Sequence, residues 1–298
     1  KYLYKDNINS MKIVVLGGSG FLGSHVADEL SKRGHQVTIF DKKKSRWIKP
    51  IQKFYLGNIL DTSKLEKVIK NADIVFHFAA LADLSQALKQ PINSVKLNIL
   101  ATVLALDLCR KHKVKRFIFA STIYVNSIQG GFYRSSKKAA EDYIEEYKNI
   151  YGLNYTILRF GSLYGPRSDN SNGLRLMVKK AIKDKVLTYS GTKKTVRKYI
   201  HVYDAAKACA ETIKKKYQNE YLTITGKKKL SINTFLKNLA KTLKINKKIK
   251  FNNKNSIGHY ESNPYTFKYK KGTVLNYKSE VNFRYAILQL INEIKKNN

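Results

Sequence analysis

Residues 12–23 read Lys12-Ile-Val-Val-Leu16-Gly17-Gly18-Ser19-Gly20-Phe21-Leu22-Gly23. The apolar, β-branched run over 12–16 predicts a buried parallel strand, and the glycines follow it at once. Phe21-Leu22, Val26-Ala27 and Leu30 then recur at helical spacing. Strand, glycine turn and helix in that order form the setting in which a dinucleotide pyrophosphate rests on a helix N-terminus. The spacing fits both Gly18-x-Gly20-x-x-Gly23 and Gly17-x-x-Gly20-x-x-Gly23. A second apolar run, Gln36-Val-Thr-Ile-Phe40, ends in Asp41, eighteen residues after Gly23. A carboxylate there can accept both ribose hydroxyls of NAD and repels a 2′-phosphate. Lys42, Lys43 and Lys44 act against that discrimination, so NAD is the expectation and NADP stays open.

A second motif lies downstream. Lys115-Arg-Phe-Ile-Phe-Ala-Ser121-Thr122 reads as a strand ending in two hydroxyls, and Tyr133 and Lys137 follow it. Tyr133 precedes a periodic helix carrying Ala139-Ala140, Tyr143-Ile144 and Tyr147, and residues at i and i+4 share a helix face. An ammonium beside a phenol, helped by an oxidised nicotinamide, is expected to lower the phenol's pKa. A phenol tuned in this way can take a proton from a sugar hydroxyl. The same spacing also arises on ordinary amphipathic helices of a chain with 20 Tyr, so its place after the glycine motif gives it weight.

These segments, with Phe76-His77-Phe78-Ala79-Ala80 and Asn98, fall in an order that resembles the extended short-chain dehydrogenases/reductases. Leu158-Arg159-Phe-Gly-Ser-Leu-Tyr-Gly165-Pro166-Arg167 and Arg197-Lys-Tyr-Ile-His-Val-Tyr-Asp204-Ala-Ala206 resemble that family's substrate-side motifs. The resemblance covers about residues 11 to 210 and is nearest to the nucleotide-sugar epimerase/dehydratase branch, of UDP-glucose 4-epimerase type. It implies catalytic roles for Thr122, Tyr133 and Lys137. It implies cofactor contacts at Gly17, Gly20, Phe21, Leu22, Gly23, Asp41, Asn58, Ile59, Ala79, Asn98, Tyr133 and Lys137. It implies substrate contacts at Thr122, Ser162 and Arg197, the last toward the diphosphate, and a homodimer through helices 93–112 and 134–151. Asn58 stands where the family has Asp, and its side-chain oxygen can still address the adenine amino group. Ser162 replaces an Asn, and only ten residues separate Thr122 from Tyr133, where relatives often carry a longer, proline-rich loop. Dehydratases of this family need an Asp-Glu pair after the Thr, and this chain has Ile123-Tyr124. The set that remains suits an NAD-dependent 4-epimerase of a nucleotide-linked sugar. A nucleotide-sugar reductase or dehydrogenase, or a non-catalytic cofactor-sensing or nucleic-acid-binding relative, is the alternative.

Composition sets the bounds. A chain of 298 residues exceeds one minimal dinucleotide-binding unit, so a second lobe is expected. The net charge of +36 invites a nucleic-acid reading. The lysines are nevertheless spread along the chain without a nucleic-acid motif, so no such partner is expected. Cys109 and Cys209 form no disulfide framework, which points to a reducing, cytoplasmic setting. No apolar stretch reaches about 18 residues, so no membrane span is expected. His77 and His201 lack a metal-type cluster and read as structural.

Apolar strands near 12–17, 36–40, 52–56, 73–78, 115–121 and 154–160 alternate with helices near 21–33, 63–70, 93–112, 134–151 and 203–216. That alternation predicts an α/β protein with a doubly wound parallel Rossmann sheet and a smaller C-terminal substrate lobe. The expected division is an extension at 1–10, an NAD-binding domain at 11–167 with about 199–225, and a substrate lobe at 168–198 and 226–298. Ser231 to Leu243 and Val281 to Ile294 supply two amphipathic helices for that lobe.

Overall fold

The structure, a computed structural model, describes residues 10–193, 195–227, 229–245, 249–252, 273–278 and 281–296. The extension expected at 1–10, save its last residue, and the stretch 253–272 of the expected substrate lobe lie outside the described residues.

The first half runs β1 (Lys12–Leu16), α1 (Phe21–Lys32), β2 (Gln36–Asp41), β3 (Lys53–Leu56), α2 (Thr62–Ile69), β4 (Ile74–His77), α3 (Leu84–Lys89) and α4 (Pro91–Ser94). A π-helical turn (Val95–Leu100), α5 (Ala101–Lys111), β5 (Arg116–Thr122), a 3-10 turn (Ile123–Asn126), α6 (Gly131–Tyr151) and β6 (Tyr155–Phe160) complete it. The second half carries β7 (Ser162–Tyr164), α7 (Gly173–Asp184), β8 (Leu187–Ser190), β9 (Val196–Arg197), β10 (Tyr199–His201), α8 (Val202–Glu211) and β11 (Glu220–Ile224). It ends in β12 (Leu230–Ser231), α9 (Ile232–Thr242), β13 (Ile249–Asn252), β14 (Thr273–Val274) and α10 (Phe283–Lys296).

Eight strands form one sheet in the order β14-β11-β6-β5-β4-β1-β2-β3, and every pairing in it is parallel. The chain leaves β1 toward β2 and β3, then returns to β4 on the other side. The strand order therefore reverses at β1, and the crevice outside its carboxyl end is where such sheets bind ligands. Apolar side chains alternate to the two faces. Val15, Val26, Leu30, Phe76 and Leu222 pack with the alanines of α8 on one face, and Val14, Phe40, Leu106, Phe117 and Ile144 lie on the other. A third cluster, Leu174, Val178, Phe235, Leu236, Ile287 and Leu290, gathers α7, α9 and α10 into what we call the C-terminal lobe. Arg167 ties the two parts together. Its guanidinium reaches Asp28 on α1 at 2.7 Å, and its backbone N–H donates to Glu293 on α10 at 3.0 Å.

Three expectations need correction. Helix α6 opens at Gly131, so Tyr133 sits in its first turn rather than ahead of it. Gly130 at φ +106° makes that early start possible, because a Cβ there would lie 2.8 Å from the Cβ of Arg134. Helix α8 stops at Glu211 and is followed by a 3-10 turn over Lys215–Tyr217, not by further helix to 216. The helical run Pro91–Lys111 is long and apolar enough to cross a membrane, contrary to the reading of the sequence. Ala101, Ala105, Leu106, Leu108 and Cys109 on it are buried in the core against the sheet. Exposed lysines are spread over many elements, among them Lys42, Lys89, Lys138, Lys180, Lys215 and Lys237.

Candidate active site

The glycine turn is shaped by contacts that leave no room for side chains. A Cβ on Gly23 would meet the Gly17 carbonyl oxygen at 2.3 Å, and one on Gly17, at φ +81°, would meet the Ala79 nitrogen at 2.5 Å. Helix α1 thus starts directly over β1 and beside the end of β4. Its first turn, Phe21, Leu22 and Gly23, has no side-chain cap and no acidic residue, so its N–H groups face outward unpaired by the cap. The Ser19 hydroxyl is buried beside them without a partner among the described residues. Uncapped donors, a buried orphan hydroxyl and a cradle closed to any Cβ are what a diphosphate requires. Asp41, at the end of β2, turns its carboxylate to this loop. It accepts the Ser19 N–H at 3.0 Å and the Lys43 N–H at 3.2 Å. The residues present therefore fit a dinucleotide.

The neighbouring loops hold the other expected cofactor residues differently from one another. Ile59 is buried, while Asn58 is exposed and its side-chain oxygen accepts the Leu60 N–H at 3.0 Å. That oxygen, expected to address adenine, shapes its own turn. The Ala79 N–H donates to the Leu16 carbonyl at 3.0 Å. Asn98, inside the π turn, is fully buried, and its amide is spent on protein. It accepts the Leu81 N–H at 2.7 Å and donates to the Leu81 carbonyl at 3.1 Å and to the Ser136 hydroxyl at 2.9 Å. Asn98 therefore fixes the loop after β4 to the helix of Tyr133.

Strand β5 and helix α6 bring Thr122, Tyr133 and Lys137 together. The Tyr133 phenol lies beside the Thr122 hydroxyl, which accepts the Tyr124 N–H at 3.3 Å. Lys137 is 2 % exposed, its ammonium donates to the Ala120 carbonyl at 2.8 Å, and it lies 4.5 Å from the centroid of the Phe119 ring. Burial pulls Lys137 down to about 7, with Glu141 acting in the opposite sense. Burial also pushes Tyr133 up to about 12, and the neighbouring Thr122 hydroxyl only partly offsets it. The expected lowering of the phenol's pKa is thus reversed in the ligand-free protein. The ammonium is spent on the Ala120 carbonyl, and desolvation of the phenolate dominates.

Reading the sequence missed what lies beneath this set. Glu141 is one further turn along α6 and 3 % exposed. Its carboxylate accepts Nε of Arg159 at 3.0 Å, an Nη of Arg159 at 2.7 Å and the Ser121 hydroxyl at 2.5 Å. The available signal was a Glu four residues after Lys137 facing an Arg in a buried strand.

On the substrate side the other expected residues lie on short two-stranded ribbons. Ser162, half-buried, opens β7 and pairs with Tyr199. Arg197 sits in β9, 6 % exposed, and donates to the Tyr189 hydroxyl at 3.3 Å. His77 is fully buried against Thr102 at 3.1 Å, and desolvation first, then Lys137, pulls it to about 3. His201 accepts the Tyr203 N–H at 3.3 Å as a helix cap, and burial pulls it to about 4. Both imidazoles are neutral supports of the strands that carry them.

Comparison with known proteins shows the family and the fold. A profile of the NAD dependent epimerase/dehydratase family matches residues 13–224. A putative UDP-glucose 4-epimerase of Methanocaldococcus jannaschii is 26 % identical over 96 % of this chain and 99 % of its own. A dTDP-D-glucose 4,6-dehydratase of Dictyostelium discoideum is 30 % identical over 68 % of this chain and 56 % of its own. Among solved structures, the UDP-glucose 4-epimerase of Thermotoga maritima with UDP-glucose superposes with a TM-score of 0.81 at 25 % identity, over 96 % of this chain and 99 % of that one. With its glycine cradle at the strand reversal, its Thr/Tyr/Lys set on β5 and α6, and these relatives, the chain belongs to the NAD-dependent epimerase/dehydratase family of nucleotide-sugar enzymes, within the extended short-chain dehydrogenases/reductases.

Proposed function

We propose that this protein is an NAD-dependent epimerase of a nucleotide-linked sugar, most simply a UDP-hexose inverted at C4. The observation that carries the reading is the juxtaposition of Thr122 and Tyr133 with buried Lys137, and Ile123-Tyr124 where a dehydratase needs its acids. In this reading Gly17, Gly20 and Gly23 with the Phe21 and Leu22 N–H groups seat the pyrophosphate, and Asp41 takes the adenosine ribose. Ile59, Ala79 and the Leu81 loop held by Asn98 flank the same cofactor. Bound NAD supplies the hydride acceptor and, once the sugar has turned, the hydride donor. Thr122 orients the sugar hydroxyl, the Tyr133 Oη takes its proton and returns it, and Lys137 holds the nicotinamide ribose. A phenol near 12 stays protonated until positive charge arrives beside it, so base strength is gained only in the loaded site. Arg197 is proposed to meet the diphosphate and Ser162 the sugar side.

Two further parts of the reading concern its setting. Ile92 and Leu100 before and within the π turn, and Tyr143 and Ile150 on α6, are exposed apolar side chains. They support a homodimer through these helices, which light scattering at micromolar concentration checks, a monomer refuting it. Two free, buried thiols suit a reducing compartment. Fractionation of cells making the tagged protein tests this, and recovery outside the cytosol counts against it.

The decisive test of the reaction is turnover of a nucleotide-sugar panel with catalytic NAD, followed by NMR. Epimer formation without net NADH, abolished in Tyr133→Phe, is expected. NADH formed in proportion to the NAD supplied favours the dehydrogenase reading, oxidation of added NADH favours the reductase reading, and no turnover of any sugar nucleotide overturns the function.

A further inference from the structure

The Glu141 cluster has no place in the chemistry described so far, yet it is the buried ion pair closest to it. The Glu141 and Arg159 side chains are 4 % and 8 % exposed. Taking both charges out of water costs several kcal/mol per ion, so such a pair is poor evidence of a stability device. Its location explains it better. Ser121 and Arg159 are register partners across β5 and β6, and Thr122 pairs with Phe160 one step further on. Glu141 therefore binds the ends of both strands at the level where Thr122 leaves the sheet. Lys137, one turn earlier on α6, grips the carbonyl of Ala120 at 2.8 Å. Helix α6 thus holds two successive residues of β5, with Lys137 on Ala120 and Glu141 on Ser121, and sets Tyr133 beside the third, Thr122. The 2.5 Å Ser121–Glu141 bond is the tightest of those with a distance. Arg159 is steadied in turn, its guanidinium lying 4.5 Å from the centroid of the Tyr221 ring on β11.

Resting on the epimerase reading, we propose that Glu141 is a positioning residue for catalysis, which through Ser121 and Arg159 sets the distance between the Tyr133/Lys137 helix and the Thr122 strand end. The carboxylate has a second effect, because it opposes the desolvation that drives the Lys137 ammonium toward neutrality. The charged and titratable groups that act on Lys137 are Glu141 on its own helix and neutral His77 on β4, with Arg159 on β6 paired to Glu141 and the Phe119 ring of β5 against the ammonium. Position and charge can be separated by substitution. Ser121→Ala removes one strap and keeps the carboxylate. Glu141→Gln keeps an acceptor for Ser121 and Arg159 and removes the charge.

The test measures kcat, KM and NAD affinity of the full-length natural protein and both variants between pH 6 and 9, with melting curves as the check of folding. Ser121→Ala is expected to lose about ten- to a hundredfold in kcat, the effect of a small misplacement of reacting groups, with NAD affinity and the pH limbs unchanged. Glu141→Gln is expected to move the alkaline limb of kcat, and of NAD affinity, to lower pH. Two folded variants with natural kcat and unshifted limbs overturn the proposal. Should Glu141→Gln fail to fold, Ser121→Ala decides alone, an unchanged kcat overturning it. If the natural protein turns over no sugar nucleotide, the epimerase reading falls. The NAD-affinity limb, shifted or not in Glu141→Gln, then still decides for or against the Glu141–Lys137 coupling.

Discussion

The sheet domain and the C-terminal lobe bury different chemistry. Against the sheet lie a lysine, a glutamate, an arginine, an asparagine and a histidine, all nine-tenths or more buried: Lys137, Glu141, Arg159, Asn98 and His77. The core of the lobe is aliphatic and aromatic, built on Phe235, Leu236, Leu239, Ile287 and Leu290, with Arg197 at its edge. The strands differ in kind as well. The large sheet is one continuous parallel ladder, whereas the lobe and its junction have three two-stranded pairs, β10-β7, β12-β9 and β13-β8. A continuous sheet can hold costly polar groups in fixed positions through bonds to neighbouring elements, Asn98 to Leu81 and Ser136, Glu141 to Ser121 and Arg159, Lys137 to Ala120, and His77 to Thr102. A lobe made of helices over short ribbons holds its shape by packing.

That contrast can be broken in graded ways. The largest effect is expected from Phe235→Ala in the lobe, about 3–5 kcal/mol of stability by cavity formation, read as a lowered denaturation midpoint. If the two parts are as distinct as their cores suggest, NAD affinity measured below the transition stays that of the natural protein. A proportionate loss of NAD affinity would mean that the lobe helps to shape the cofactor site. Gly23→Ala is expected to do the reverse. Its Cβ would sit 2.3 Å from the Gly17 oxygen and displace the first turn of α1, which costs on the order of a hundredfold in kcat/KM. An alanine variant with natural cofactor binding by calorimetry would contradict the cradle.

Arg197→Met tests the proposed contact of Arg197 with the substrate diphosphate. Losing a charged hydrogen-bond donor costs about 1.5–3 kcal/mol, or roughly ten- to a hundredfold in KM for the sugar nucleotide, with NAD affinity constant. A changed NAD affinity and an unchanged KM would move Arg197 out of the substrate site. The smallest effect on stability belongs to Lys137→Met, which is expected to end turnover and yet to stabilise the fold. The folded pKa of Lys137, about 7, lies below its usual 10.5, so between those values the unfolded chain binds more protons. The penalty of burying the ammonium is therefore greatest below pH 7 and fades as pH rises toward 10.5. The variant should melt above the natural protein at pH 7, by about 2–4 °C for each kcal/mol relieved, and the gap should narrow at pH 9. A lower melting temperature at pH 7 would show that the Ala120 hydrogen bond outweighs desolvation.

The amino-acid sequence by itself determined the part of this protein governed by local rules. Apolar β-branched runs specify parallel strands, and glycines at fixed intervals specify a turn that no side chain can enter. The i to i+4 spacing puts Tyr133 and Lys137 on one face, and Asp41 ends its strand at the right distance from Gly23. Each of these features is local to one element or one strand–helix–strand unit, so spacing alone reveals it. Tertiary structure decided the rest, because it depends on residues far apart in the chain meeting in low dielectric. Asn98 proved to be a clamp on Leu81, and Asn58 turned its oxygen to its own backbone. The phenol of Tyr133 rose rather than fell, since the ammonium meant to assist it was bound to the Ala120 carbonyl. Glu141 became visible only when β5 and β6 brought Ser121 and Arg159 side by side. Periodicity and spacing describe which way a side chain points along its own element. What it meets there, and how strongly it is desolvated, is set by the strand or helix that arrives from elsewhere.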